Sequence, residues 1–307
     1  MGYYYLDLKY RPTTISTYLA AIKFMLKTSG VDISFFSSPV VSAARTGMCM
    51  LFRQNVLKAD ERTMPVTVDF IVSAISIFGS VDQPQRQVVV VAMVLAFTCL
   101  FRSCEYLGKY RVKARDILFE FRVCGSANIF VSASDSNLVS FSRENLCGVL
   151  INNEAAKNDP EGEGYRFHYP RQMSSVEVAF DIVEILFDWA VCARLSSGDP
   201  FVSYRKKWVL SYSTFQKAIK HVARKLGLDE RRYSTHSLRI GGATLLAAAG
   251  LPDYMIQLIG RWKSLAFLQY IRSNESMFSK ALSVLSNPNL FTISHLIRVN
   301  SGTKVFR

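Results

Sequence analysis

Fourteen consecutive residues from Val88 to Phe101 (VVVVAMVLAFTCLF) carry a single polar side chain, Thr98. Such a segment has no polar face to offer water, so the rest of the chain must cover it on every side. It is too short to cross a bilayer. The sequence therefore predicts a buried helix in a sizeable core, and no membrane partner. The remainder can supply that cover: of 307 residues half are hydrophobic, which suits a folded protein of two domains.

The apolar run passes directly into Arg102-Ser103-Cys104-Glu105-Tyr106-Leu107, with Asp116 further on. A guanidinium closing a buried helix is costly to desolvate unless a carboxylate or another anion meets it. Glu105, three residues later and on the same helical face, is the natural orienting partner. The plainer reading of Arg102 is a helix-capping residue or the partner of a core carboxylate.

A second group of residues changes that balance. Thr235-His236-Ser237-Leu238-Arg239 is followed by Gly260-Arg261-Trp262 and then Tyr270. His236 and Arg239 share one face of a helix that should run through Ala249 and stop at Gly250. Pro252 suits the first turn of the next helix, and Gly260 its end. Two short helices folded back on each other would bring Trp262 to the His236/Arg239 face. An isolated histidine is usually a satisfied core residue, and one tyrosine among fourteen means nothing. Their order together with Arg102 carries the weight. A phosphodiester attacked by a phenolic oxygen needs this set, because the developing phosphorane needs fixed cations and hydrogen-bond donors on its equatorial oxygens.

These residues resemble the active-site motifs of tyrosine recombinases, the integrase and Cre-like family: Arg-x-x-Glu-Leu and then Asp, His-x-x-Arg, His or Trp, and the nucleophilic Tyr. Arg102 and Glu105 match, with Tyr106 in place of the usual apolar residue. The family commonly has nine residues from His or Trp to Tyr; here Trp262 to Tyr270 is eight and Arg261 to Tyr270 is nine. Trp262 is the favoured match, since its indole N–H can donate to a phosphate oxygen; Arg261 stays open as the alternative. Ile-Gly-Arg-Trp-Lys-Ser and Phe-Leu-Gln-Tyr-Ile-Arg look most like recombinases of eukaryotic mobile elements, the Crypton and DIRS types. With no reverse transcriptase segment in the chain, the Crypton type is favoured.

The resemblance covers roughly Met64 to Arg272 and implies a mainly α fold with a small antiparallel β-sheet. It implies a helical, SAM-like core-binding domain over residues 1–64, a catalytic domain over 65–290 and a tail over 291–307. The first unit is shorter than usual, so a first helix is expected to be missing or to lie upstream. Its helices are expected from Thr14 to Gly30, with Ile15, Tyr18, Leu19, Ile22, Met25 and Leu26 at helical spacing, and from Ser42 to Lys58. Strands are expected over Asn145–Glu154 and Tyr165–Tyr169, separated by turn formers that include Lys157. In the family a lysine on such a hairpin protonates the leaving 5′-oxygen, which implies that role for Lys157.

The remaining roles implied by the resemblance are consistent with the chemistry of the groups. Tyr270 attacks phosphorus, Arg102 and Arg239 neutralise the non-bridging oxygens, His236 assists removal of the phenolic proton, and Trp262 donates and packs. Neither a cofactor nor a metal is required. The partners implied are double-stranded DNA and further copies of the chain, as a tetramer on paired sites.

Charge agrees with a polyanionic partner: the formal net charge is +13 and the pI about 9.5. Between Ser213 and Gly227, Phe215, Ala218, Ile219, Val222, Ala223 and Leu226 fall on one side of a helix. Lys217, Lys220, His221, Arg224 and Lys225 fall on the other, read either as a solvated surface or as a DNA-contacting face. Six cysteines without a C-x-x-C pair read as reduced core residues of an intracellular protein, nuclear if eukaryotic, and no secretory signal is recognisable. Gly241-Gly242 lies inside the His-x-x-Arg helix and makes no phosphate loop. Two other functions use the same residues: strand passage of the type IB topoisomerase kind, and DNA binding by a domesticated descendant that no longer cuts.

Overall fold

The computed structural model of the chain describes residues 12–56, 63–80, 83–108, 111–153, 164–171, 179–204, 208–262 and 264–272. The chain divides into two compact units, Met1–Arg62 and Thr63–Arg307. In the first, α1 (Pro12–Thr28) and α2 (Pro39–Val56) are joined through a 3-10 turn at Ser34–Ser37. Gly30 reverses the chain after α1 with φ +75°, a conformation that L side chains rarely adopt. α2 starts three residues before the expected Ser42, because Pro39 at its first position has φ preset for a helix. Of the apolar positions expected to face a core, Ile15 is buried, Leu19 and Leu26 are half-buried, and Tyr18, Ile22 and Met25 are exposed.

The second unit is mainly α with a small antiparallel sheet. α3 (Val68–Phe78) opens with Thr67 Oγ1 accepting from the Phe70 N–H. α4 (Pro84–Thr98) is buried without interruption from Gln87 to Phe97, as its composition requires. It packs against α3, α6 (Ile182–Ala193) and α8 (Thr235–Ala248). The sheet has the order β2-β1-β3-β4, from β1 (Ile117–Phe121), β2 (Ile129–Ser132), β3 (Leu146–Asn153) and β4 (Tyr165–Pro170). Every pairing in it is antiparallel, and Asn153 opposite Tyr165 is the pair next to the connection between β3 and β4. Ile117, Phe119, Phe121, Val149 and Ile151 are buried, and the Phe119 and Phe187 rings meet edge to face at 5.4 Å.

Two expectations need correction. The apolar run is not one helix ending at Arg102: α4 stops at Thr98, and Leu100 enters the left-handed region at φ +50°. Arg102 is instead the extended N-cap of a separate one-turn helix, α5 (Ser103–Tyr106), with Glu105 at its third position. Nor are the cysteines uniformly core residues. Cys99 is buried, but Cys49 lies on an open face of α2 and Cys124 in the β1–β2 turn, both exposed. Among the described residues no helix is long and apolar enough to cross a membrane.

The glycine pair in α8 sets how closely the helices approach. A Cβ on Gly241 would overlap the Val66 backbone, and one on Gly242 would overlap the Phe97 carbonyl of α4. The strand-like segment before α3 is pinned there by Val66 N–H donating to Ser237 O at 3.0 Å and Met64 N–H to Arg232 O at 2.9 Å. α8 therefore lies directly on α4, which carries Arg239 to the C-terminal end of α4. Gly242→Ala is expected to destabilise the protein by about 2–3 kcal/mol, since rigid backbone must give way. An unchanged thermal midpoint would show that these helices can separate freely.

Candidate active site

Helix α8 begins at a reciprocal cap: Ser234 Oγ accepts from the His236 N–H at 3.3 Å, and Ser237 Oγ from the Ser234 N–H at 3.0 Å. Gln216 from α7 (Tyr212–Lys225) holds the same end, donating to Tyr233 O at 2.9 Å and accepting from the Thr235 N–H at 3.2 Å. His236 thus sits at the positive end of the helix dipole and Arg239 one turn in.

Arg239 is buried, with 1% exposure. Its Nη1 donates to Leu100 O and its Nη2 to Gly260 O at 2.5 Å. Its Nε is buried without a hydrogen-bond partner among the described residues. The guanidinium lies 4.1 Å from the centre of the Trp262 ring and 5.6 Å from that of Tyr270. Burial, then the charges of Arg102 and Arg261, push against its protonated form. An arginine does not deprotonate for that reason. The cost is stored as a site that an anion would relieve.

The tyrosine arrives from the other side. α9 (Asp253–Gly260) leads into Arg261 and Trp262, and a 3-10 turn (Leu265–Gln269) delivers Tyr270. The Tyr270 ring stands 4.8 Å from the His236 imidazole and 5.0 Å from the Trp262 indole. Thr244 of α8 anchors this segment, its hydroxyl donating to Tyr270 O at 3.2 Å and accepting from the Arg272 N–H at 3.1 Å. α9 ends at Gly260 as expected, and Arg261 after it takes the left-handed conformation, φ +57°. Gly260 serves another purpose: the Trp262 ring lies on its Cα, where any Cβ would overlap it.

The two candidates for the penultimate position separate cleanly. Trp262 faces Arg239 and Tyr270. Arg261 turns into the core, its Nη2 donating to Glu105 Oε2 at 2.6 Å. Glu105 has no exposure and also takes Arg102, with Nη1 to Oε1 at 3.2 Å and the backbone N–H to Oε2 at 2.7 Å. Arg102 keeps 17% of its side chain open. Asp116 is a local cap, accepting from the Lys113 N–H at 2.8 Å. Lys157 lies outside the described residues, on the connection between β3 and β4.

On α7, Phe215, Ala218, Ile219, Val222 and Ala223 are buried, while Leu226 is 38% exposed beyond the helix end. Lys217 and Lys225 are exposed and Lys220 half-buried. His221 packs on Phe78 at 6.0 Å, and Arg224 Nε pairs with Glu230 Oε2 at 2.5 Å. Sequence reasoning missed Thr244, Gln216 and the Leu100 carbonyl, none of which carries a motif. It also passed over Arg272, two residues after Tyr270, as a member of the site.

No family model matches the chain, and no curated protein matches it. Among solved structures the fold is similar to XerA recombinase, at 15% identity over 93% of this chain and 80% of that one, TM-score 0.46. It is also similar to XerH site-specific recombinase bound to palindromic difH substrate in a post-cleavage complex. There the identity is 16% over 73% of this chain and 53% of the XerH chain, TM-score 0.48. A third is the Tn1549 transposon integrase in complex with transposon right end DNA, at 13% over 86% and 83%, TM-score 0.42. These similar structures are recombinases and integrases, too distant to carry residue roles across.

The electrostatics of His236 can be measured directly. The residue is exposed on the surface, but its ring is crowded. Its pKa is lowered first by that partial desolvation and then by Arg239, Arg272 and Arg102. These causes favour the neutral imidazole, the form able to accept a proton. Titration by NMR is expected to place its midpoint below the ordinary value of about 6.5. Arg272→Gln should move that midpoint upward, because losing a positive neighbour favours imidazolium. A midpoint indifferent to the substitution would put the Arg272 charge out of reach.

Proposed function

We propose that this chain cuts and rejoins DNA strands by phosphoryl transfer to Tyr270, as a site-specific recombinase or integrase. The observation that carries the reading is the convergence of His236, Trp262 and Arg239 on Tyr270, with the Arg102 charge felt at both His236 and Arg239. Among the described residues four guanidiniums, Arg102, Arg239, Arg261 and Arg272, stand against one carboxylate, Glu105. The excess is three positive charges. A phosphodiester carries one negative charge and a pentacoordinate phosphorane two, so the excess favours the transition state over the bound substrate.

Each step balances. A phenol ordinarily ionises near pH ~10, so a neutral His236 takes the proton as the Tyr270 oxygen bonds to phosphorus. The bond from phosphorus to the 5′-oxygen breaks, leaving a 3′-phosphotyrosine, and the 5′-oxygen takes a proton, for which Lys157 is the proposed donor. Attack by a 5′-hydroxyl of another strand reverses these events. One phosphoester replaces another, so no external energy source enters.

Mobile-element integration or excision is the proposed setting, supported by the Gly260–Trp262 and Phe267–Arg272 wording, and the nucleus the proposed location. Assembly as a tetramer on paired sites belongs to the same proposal; the apolar stretch after Leu282, which would supply much of that contact, lies outside the described residues.

Tyr270→Phe keeps the ring packing and removes only the nucleophilic oxygen. It is expected to abolish SDS-resistant attachment to a nicked suicide duplex taken from the flanks of the coding sequence, with duplex affinity nearly intact. A persisting adduct would assign the attack to another tyrosine.

The exposed face of α7 is the proposed duplex contact. Replacing Lys217 and Lys220 by Gln should flatten the plot of log K against log salt by about 1.8, at about 0.9 for each phosphate no longer neutralised. Arg224→Gln should change it less, since Glu230 already offsets that charge. An unchanged slope in the double variant would return α7 to an ordinary solvated surface.

A further inference from the structure

The most heavily bonded side chain in this region cannot touch DNA. Arg261 is buried, its side chain without exposure. Its Nη1 donates to Cys99 O and to Ile259 O, each at 3.1 Å. Its Nη2 donates to Leu100 O at 3.2 Å and to Glu105 Oε2 at 2.6 Å. The guanidinium lies between aromatic rings, 4.9 Å from the centre of Phe101 and 5.2 Å from that of Phe167. If Arg261 were there only to hold the fold, its acceptors could be any buried oxygens. Two of its four acceptors are instead groups that also hold the arginines of the site. Leu100 O also receives Arg239 Nη1, and Glu105 also receives Arg102. The backbone of Arg261, left-handed at φ +57°, sets the direction in which Trp262 leaves α9 and meets Arg239.

We propose that Arg261 is a positioning residue, which fixes Arg102 through Glu105, Arg239 through the Leu100 carbonyl, and Trp262 through its own backbone turn. This inference rests on the phosphoryl-transfer reading of the site. The task needs a guanidinium. A planar fork with five donors reaches three carbonyls and a carboxylate at once, whereas an ammonium is a point charge on a flexible stem. It also explains the spacing around Gly260-Arg261-Trp262: the middle residue is turned inward, away from the reacting groups, while its neighbour faces them.

Arg261→Lys keeps the charge opposite Glu105 and loses the fork. In the full chain, below its unfolding range, it is expected to leave duplex affinity within about 3-fold while slowing adduct formation about 10- to 100-fold, the cost of misplacing groups by about 1 Å. Because the proposed route runs through Glu105, Glu105→Gln combined with Arg261→Met should be no slower than the slower single variant. A merely structural residue would instead slow the reaction only in proportion to the unfolded fraction, and the two losses would multiply; either result overturns the proposal. DNA-free protein gives an independent measurement. In NMR spectra Arg261→Lys should shift the Arg102 and Arg239 side-chain N–H signals while leaving distant core methyl signals in place. Unmoved arginine signals overturn the positioning role whatever the enzyme does. If those signals shift as expected but wild-type protein forms no adduct, positioning stands and the phosphoryl-transfer reading fails.

Discussion

A carboxylate with no solvent exposure has to be matched inside the protein, and Glu105 is matched twice, by Arg102 and by Arg261. Losing one member of such a buried group leaves a charge stranded, at a cost of about 3–5 kcal/mol. Around this pair the chain departs from what its local sequence would favour. The apolar helix ends early, and Leu100 accepts a left-handed backbone that a leucine ordinarily avoids. With α4 stopped at Thr98, the Cys99 and Leu100 carbonyls lie beyond its end, and the two buried arginines take them up.

Close backbone approach is the second condition. Gly241 and Gly242 let α8 rest on α4 and on the Val66 segment, and Gly260 lets the Trp262 ring fold back over its own Cα. Each glycine is where it is for lack of a Cβ, and none of the three needs a positive φ. The consequence is that Arg239 reaches carbonyls at the end of α4 and of α9 together. Trp262 closes over its guanidinium, and Tyr270 packs against both Trp262 and His236.

Charge then works in one direction across the site. Arg102 and Arg261 disfavour protonation of Arg239, which the buried carboxylate of Glu105 opposes, and Arg239, Arg272 and Arg102 disfavour protonation of His236. A surface cluster of this kind would be screened by water and salt. Here burial is the first cause of the shift at both Arg239 and His236, so the repulsion is little screened. Under the proposed function the overall charge of +13 would draw a polyanion from a distance, and this cluster would give its phosphate a defined place to stop.

Several features needed only the sequence. The apolar run from Val88 had to be a buried helix, because it has no polar face. The alternation of Phe215 to Ala223 with lysines and arginines had to split α7 into a buried and a basic side, and the motif order singled out His236, Arg239, Trp262 and Tyr270. Periodicity and residue chemistry act within a few turns of chain, and that range sufficed. What tertiary structure alone decided lies at longer range. The end of α4 carries no proline or glycine to announce it, since the stop depends on arginines 139 and 161 residues away. Whether Arg261 or Trp262 meets the tyrosine could not be read from spacing, because it depends on which one finds a buried carboxylate. Thr244 and Gln216 belong to no motif, and their roles come from where α8 is laid. A residue's local pattern decides which face it can present; only packing decides what stands opposite.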